Sequence, residues 1–114
     1  MEATHVFAGL AVSNYEAALS WYERLLGRSP DRLPKAGEAV WQLTATSLLY
    51  IVEDTRRVGG GLVTIAVSDL DEHLAELVEH GIPVHSETLA NGIRKATASD
   101  PDGNTLSFFE APGG

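Results

Sequence analysis

Residues 11–26 read AVSNYEAALSWYERLL and residues 66–80 read AVSDLDEHLAELVEH. Ala-Val-Ser followed by an amphipathic stretch therefore recurs 55 residues on, from Ala11 to Ala66, in a chain of 114. A repeat of this length is one supersecondary unit, and such a unit carries a hydrophobic face that it cannot cover alone. Two units side by side can cover it, so the repeat sets the architecture before any single residue is weighed.

The local signals within each unit agree. Thr4–Val12 is rich in β-formers without a helical period, and Ser13-x-x-Glu16 then reads as a capping box opening a helix at about 14–27. Tyr15, Leu19, Tyr22 and Leu26 form its apolar stripe, and Gly27 suits the left-handed position that closes it. After the turn Pro34-Lys35-Ala36-Gly37, Ala39–Thr44 and Ser47–Glu53 read as strands. The charged and then glycine-rich run 54–61 is the joint between units. Beyond it come a strand Leu62–Val67, a weaker box Ser68-x-x-Asp71, and a helix striped by Leu70, Leu74, Leu77 and Val78 that stops at Gly81. Val84–Thr88, a hairpin turn at Asn91-Gly92, Ile93–Ala98, the turn Asp100-Pro101-Asp102-Gly103 and Thr105–Glu110 complete it. The pattern is β-α-β-β-β twice: module one at about 4–53, linker 54–61, module two at about 62–112, in a single α+β domain.

Composition removes several function classes. A chain this long buries roughly 65% of its unfolded surface and needs no staple. There is no cysteine, hence no disulfide, thiolate metal site or thiol nucleophile, which fits a reducing compartment. MEATHVF has neither the basic nor the apolar region of a signal peptide, and no run is apolar enough to span a bilayer, so the expected setting is cytoplasmic. With 16 acidic and 8 basic residues the formal charge is −8, which repels nucleic acid and favours a cationic or neutral partner. No nucleophile triad or phosphate-cradling loop is present, since Gly59-Gly60-Gly61 is not followed by a helix.

AVSNYEAALSWYERLLG and SDPDGNTLSFFE closely resemble signature stretches of the vicinal oxygen chelate superfamily, which holds glyoxalase I, the bleomycin-resistance proteins and the extradiol dioxygenases. The resemblance covers nearly the whole chain and rests on a helix cap and a tight turn, which specify fold rather than chemistry. It implies two βαβββ modules whose curved mixed sheets, with helices outside, form a cup for a small molecule, usually within a homodimer. In the enzymes of that family, His, Gln or Glu from four inner strand positions hold a divalent metal. Carried onto this chain, those positions are Phe7, Tyr50, Leu62 and Ser107. None is a plausible ligand for such an ion, which needs imidazole nitrogen or the oxygen of a carboxylate or carboxamide.

The expectation is therefore a metal-free, cofactor-free pocket that binds an aromatic or cationic drug-like compound, as in the drug-sequestering branch. Its candidate ligand-binding residues are His5, Phe7, Trp41, Tyr50, Leu62, Arg94, Ser107 and Phe109, with Val52 beside them. Alternation sends Val6, Ala8, Leu10, Val63, Ile65 and Val67 under the helices. Trp41 fits core or pocket equally. Of Arg94 and Lys95, one faces the cavity and the other water. His73 and His80 read as exposed or C-terminal helix positions, and Trp21 as packing. Two alternatives stay open: an enzyme of the same superfamily with an unorthodox metal set drawn from His5, His85, Glu87 and Glu110, or a non-catalytic interaction module whose cleft is filled by its own side chains or a partner.

Overall fold

Both helices begin where the chain supplies an oxygen for their unpaired amides. In the computed structural model, which describes residues 1–110, helix α1 spans Tyr15–Leu26 and helix α2 spans Leu70–Glu79. The expected module-two boundary at 112 lies outside the described residues. The N-caps are Asn14 and Asp69, whose side chains accept from the amides of Ala17 and Glu72. The sequence pointed instead to Ser13 and Ser68, one residue earlier. Asn14 and Asp69 are the residues in extended backbone conformation next to the first turn, so theirs are the oxygens that reach its amides. The second carboxylate comes from a strand rather than from the helix: Glu53 accepts from Tyr15 N–H, and Glu110 from Leu70 N–H, at 3.0 and 3.1 Å. The last strand of each unit thus pins its own helix. Gly27, at φ 75°, closes α1 with its amide on the Glu23 carbonyl, and Gly81, at φ 73°, follows α2.

The described residues also form eight strands: β1 Val6–Val12, β2 Arg32–Lys35, β3 Glu38–Gln42, β4 Ser47–Glu53, β5 Leu62–Val67, β6 His85–Thr88, β7 Arg94–Ser99 and β8 Thr105–Glu110. They form two four-stranded mixed sheets, β1-β4-β3-β2 and β5-β8-β7-β6, in which β1–β4 and β5–β8 are parallel and the other pairs antiparallel. The α+β pattern of two βαβββ units is what the sequence led us to expect. Strand β2 was not legible because Pro34 interrupts it; proline is tolerated there because β2 is an edge.

One face of each sheet lies under its helix, and the two covered faces merge into a single core. Leu10, Val12, Trp41, Leu49 and Ile51 from the first sheet join Ala96, Ala98, Leu106 and Phe108 from the second, with Tyr22, Leu25, Leu70 and Leu77 from the helices. Val6 departs from the expected covered set: it is the first residue of β1 and is exposed. The Asp100–Gly103 turn clasps the halves together. Buried Asp100 accepts from the Tyr22 hydroxyl at 2.7 Å and from the amides of Asp102 and Asn104 at 2.9 Å. Asn104 donates to the Ala11 carbonyl and accepts from Gly61 N–H. Burial, then the bond to Asp100, pushes the Tyr22 hydroxyl far above its usual range, so it remains a donor. Gly61 is required there, because a Cβ would stand 2.5 Å from Leu10 and 2.6 Å from the Asn104 amide oxygen. Among the described residues no helix is long and apolar enough to cross a membrane.

Candidate functional site

The faces turned away from the helices hold the candidate residues. On the first sheet, register places Phe7 beside Leu48 and Gln42, and Gly9 beside Tyr50, Val40 and Arg32. The Tyr50 ring folds over Gly9 and occupies the space where a Cβ would stand, so glycine at 9 is what lets the ring lie flat on β1. Val40 and Leu48 are buried on this face, apart from the main core. Phe7 remains 55% exposed. Curvature brings Arg32 of β2 and Phe7 of β1, at opposite edges of the sheet, to one cavity of about 360 Å³, completed by Thr4, His5, Gln42 and Leu48.

The second sheet presents a more polar open face. His85, Thr97, Ser107 and Thr64 stand in one row across its four strands, and Glu87, Lys95, Phe109 and Ala66 in the next. Ser107 is buried, with its hydroxyl 3.3 Å from that of Thr97. Leu62 is 81% exposed at the start of β5. A cavity of about 280 Å³ lies among Thr64, Leu89, Ile93, Lys95 and Phe109. It shares no residue with the first cavity.

Several expected residues fall elsewhere. Trp41 is fully buried on the helix side of β3, where its indole N–H donates to the Arg28 carbonyl, so it packs the core and cannot meet a ligand. Arg94 is tied to Asp71 of α2 at 2.9 Å, and Lys95 is the basic residue on the open face. His73 is not exposed: its ring packs on Phe108, with centroids 4.3 Å apart, and its buried Nε2 has no partner. Burial therefore lowers its pKa, with Glu76 opposing more weakly. His80 does sit at a helix end, bridging the C-termini of α1 and α2 through the Arg24 carbonyl at 2.8 Å. Arg32 and Gln42 are pocket residues that the sequence reading missed, and of the pair Arg94 and Lys95 it is Lys95 that faces a cavity. Register against Tyr50, Leu48 and Phe109 was the signal that could have found them.

A family profile, that of the Glyoxalase/Bleomycin resistance protein/Dioxygenase superfamily, matches residues 3–108. The chain belongs to this superfamily. A solved glyoxalase/bleomycin resistance protein from Catenulispora acidiphila DSM 44928 is 46% identical, with a TM-score of 0.92 over 96% of this chain and 100% of that one. Lactoylglutathione lyase from Agrobacterium tumefaciens is 19% identical, with a TM-score of 0.79, over 96% of this chain and 95% of that one. A bleomycin-binding protein solved with bleomycin is 20% identical, with a TM-score of 0.76, over 97% and 99%. The last two share the fold. Comparison with curated proteins gave no match.

The four strand positions that the resemblance assigns to a metal carry a phenyl ring, a phenol, an isobutyl group and one hydroxyl, at Phe7, Tyr50, Leu62 and Ser107. These groups do not fit a divalent ion, which requires several imidazole, carboxylate or carboxamide donors converging at about 2 Å. The unorthodox set is not assembled either. Glu110 is spent on the α2 cap, and among the described residues no three His, Asp or Glu side chains converge with metal-holding geometry.

Proposed function

We propose that this protein is a metal-free receptacle for an aromatic or amphipathic small molecule, working as a homodimer in which open sheet faces meet. The observation that carries the reading is the chemistry of the four inner positions: apolar or hydroxylic side chains, in a frame whose enzymes use such strands to grip an ion. Phe7, Tyr50 and Leu48 offer an aromatic and aliphatic floor, and the neighbouring cavity has the volume of a small organic ligand. The dimer is supported by the apolar groups that the open faces leave bare, Phe7 and Leu62. Lack of cysteine supports a reducing, cytoplasmic setting.

Two measurements test this. Protein purified without chelator should carry far less than one equivalent of Zn, Mn, Ni or Fe; stoichiometric metal with chelator-sensitive turnover overturns the reading. A thermal-shift screen of aromatic compounds should give hits, since a ligand at a hundred times its dissociation constant stabilises the fold by about 2.7 kcal/mol. A cleft that answers to no compound is a filled one.

A further inference from the structure

We infer that the receptacle selects ligands bearing an anionic head, a carboxylate above all, through Arg32. This rests on the small-molecule reading above and sharpens it to a chemical class. The first-sheet cavity is built of two parts. Phe7 and Leu48 form an apolar surface, and around it stand hydrogen-bonding or cationic groups: the Arg32 guanidinium, the Gln42 amide, the Thr4 hydroxyl and the His5 imidazole. Among the described residues no carboxylate lines it. The ion pairs formed by arginine among the described residues are Arg28–Asp31, Arg57–Asp54 and Arg94–Asp71, and Arg32 is in none of them. Guanidinium is the cation best suited to a bidentate hold on a carboxylate.

The overall charge of −8 points the other way, toward a cation, but it acts at the wrong distance. Screening over about 8 Å at physiological salt leaves the groups that line a cavity to decide what enters it. Lys95 on the second open face is the weaker candidate, since Glu87 stands directly across the strand pair from it.

The test uses three matched probes, 4-phenylbutyrate, 4-phenylbutyramide and 4-phenylbutylamine, titrated calorimetrically into the full chain. The carboxylate should bind at least tenfold tighter than the amide, with the amine weakest, and added salt should erode the carboxylate's advantage. Arg32→Gln should bring carboxylate down to the level of amide. Lys35→Gln, which removes an exposed charge from the same strand but outside the cavity, should change nothing. Phe7→Ala should weaken carboxylate and amide alike. If the amine equals or exceeds the carboxylate, or if Arg32→Gln leaves the order intact, the anionic preference is wrong while the receptacle survives. If none of the three binds, both fall.

Discussion

The two units share a frame and differ in filling. Each has an Asx cap, a strand-end glutamate on the first helical amide and the same strand order. The first helix, however, buries Ala18, Trp21, Tyr22 and Leu25. The second buries only Leu70 and Leu77, and by repeat position it sets His73, Glu76 and His80 where the first has Ala18, Trp21 and Leu25. The open faces diverge in the opposite sense. Gly9 under Tyr50 makes an aromatic floor in the first unit, whereas their counterparts Thr64 and Ser107 make a hydroxyl row in the second. The repeat therefore encodes shape, and the departures from it encode how the core is packed and what groups the open faces present.

If the second unit is thinly packed, it leans on the first through the Asp100 clasp. Replacing Asp100 with Ala strands the Tyr22 hydroxyl and two backbone amides away from water, at a cost of about 3 kcal/mol or more. Urea denaturation should show that loss. Native-state hydrogen exchange should place it mainly in β7 and β8, with α1 and β4 retaining protection. Uniform loss across both sheets would mean that the halves are equally self-sufficient, and the comparison would fail.

Frame and filling were unequally legible in the sequence. Periodicity and turn chemistry act locally, so both helices, the DPDG turn and β8 could be read from neighbouring residues. What depended on partners distant in the chain could not. The reach of Glu53 and Glu110 to the helix starts, the role of Asp100 at the seam, and the parity of Trp41 and Arg94 all follow from register, which alternation alone leaves undetermined. Strand β2 was hidden because a proline edge strand has no alternating signature.

His73 gives a second way to sharpen the contrast. Its folded pKa lies below its unfolded value, so the unfolded chain takes the proton first. Stability from the neutral ring is fully present above about pH 6.5 and is lost as pH falls toward the folded value. His73→Leu should remove that part of the acid sensitivity and raise stability at pH 5.5 by about 1 kcal/mol, because the unpartnered Nε2 goes and the contact with Phe108 is kept. Denaturation midpoints of both proteins between pH 7.5 and 5 check this; parallel pH curves would show that His73 is solvated.

The smallest stability effect falls at the position that most separates the open faces. In Gly9→Ala the new methyl group takes the space of the Tyr50 ring, but the atoms it meets are the far end of a side chain free to swing outward. Alanine also holds a strand better than glycine by roughly 0.5–1 kcal/mol, so the two effects nearly offset and net stability should shift by less than about 1 kcal/mol. The pocket should change far more than the fold. Tyr50, which lies beyond the Arg32 cavity and lines a separate one with Gly9, should when lifted give an altered near-UV circular dichroism signal, and aromatic probes long enough to reach it along the open face should bind several-fold more weakly. Alanine at the repeat-related site, Thr64→Ala, falls outside the first cavity and should leave that cavity's affinity unchanged. Combining Gly9→Ala with Tyr50→Ala should cost less affinity than the two single losses added, because the methyl group harms binding only through the ring it displaces. Strict additivity would show instead that glycine matters at this position for its backbone and not for its lack of a side chain.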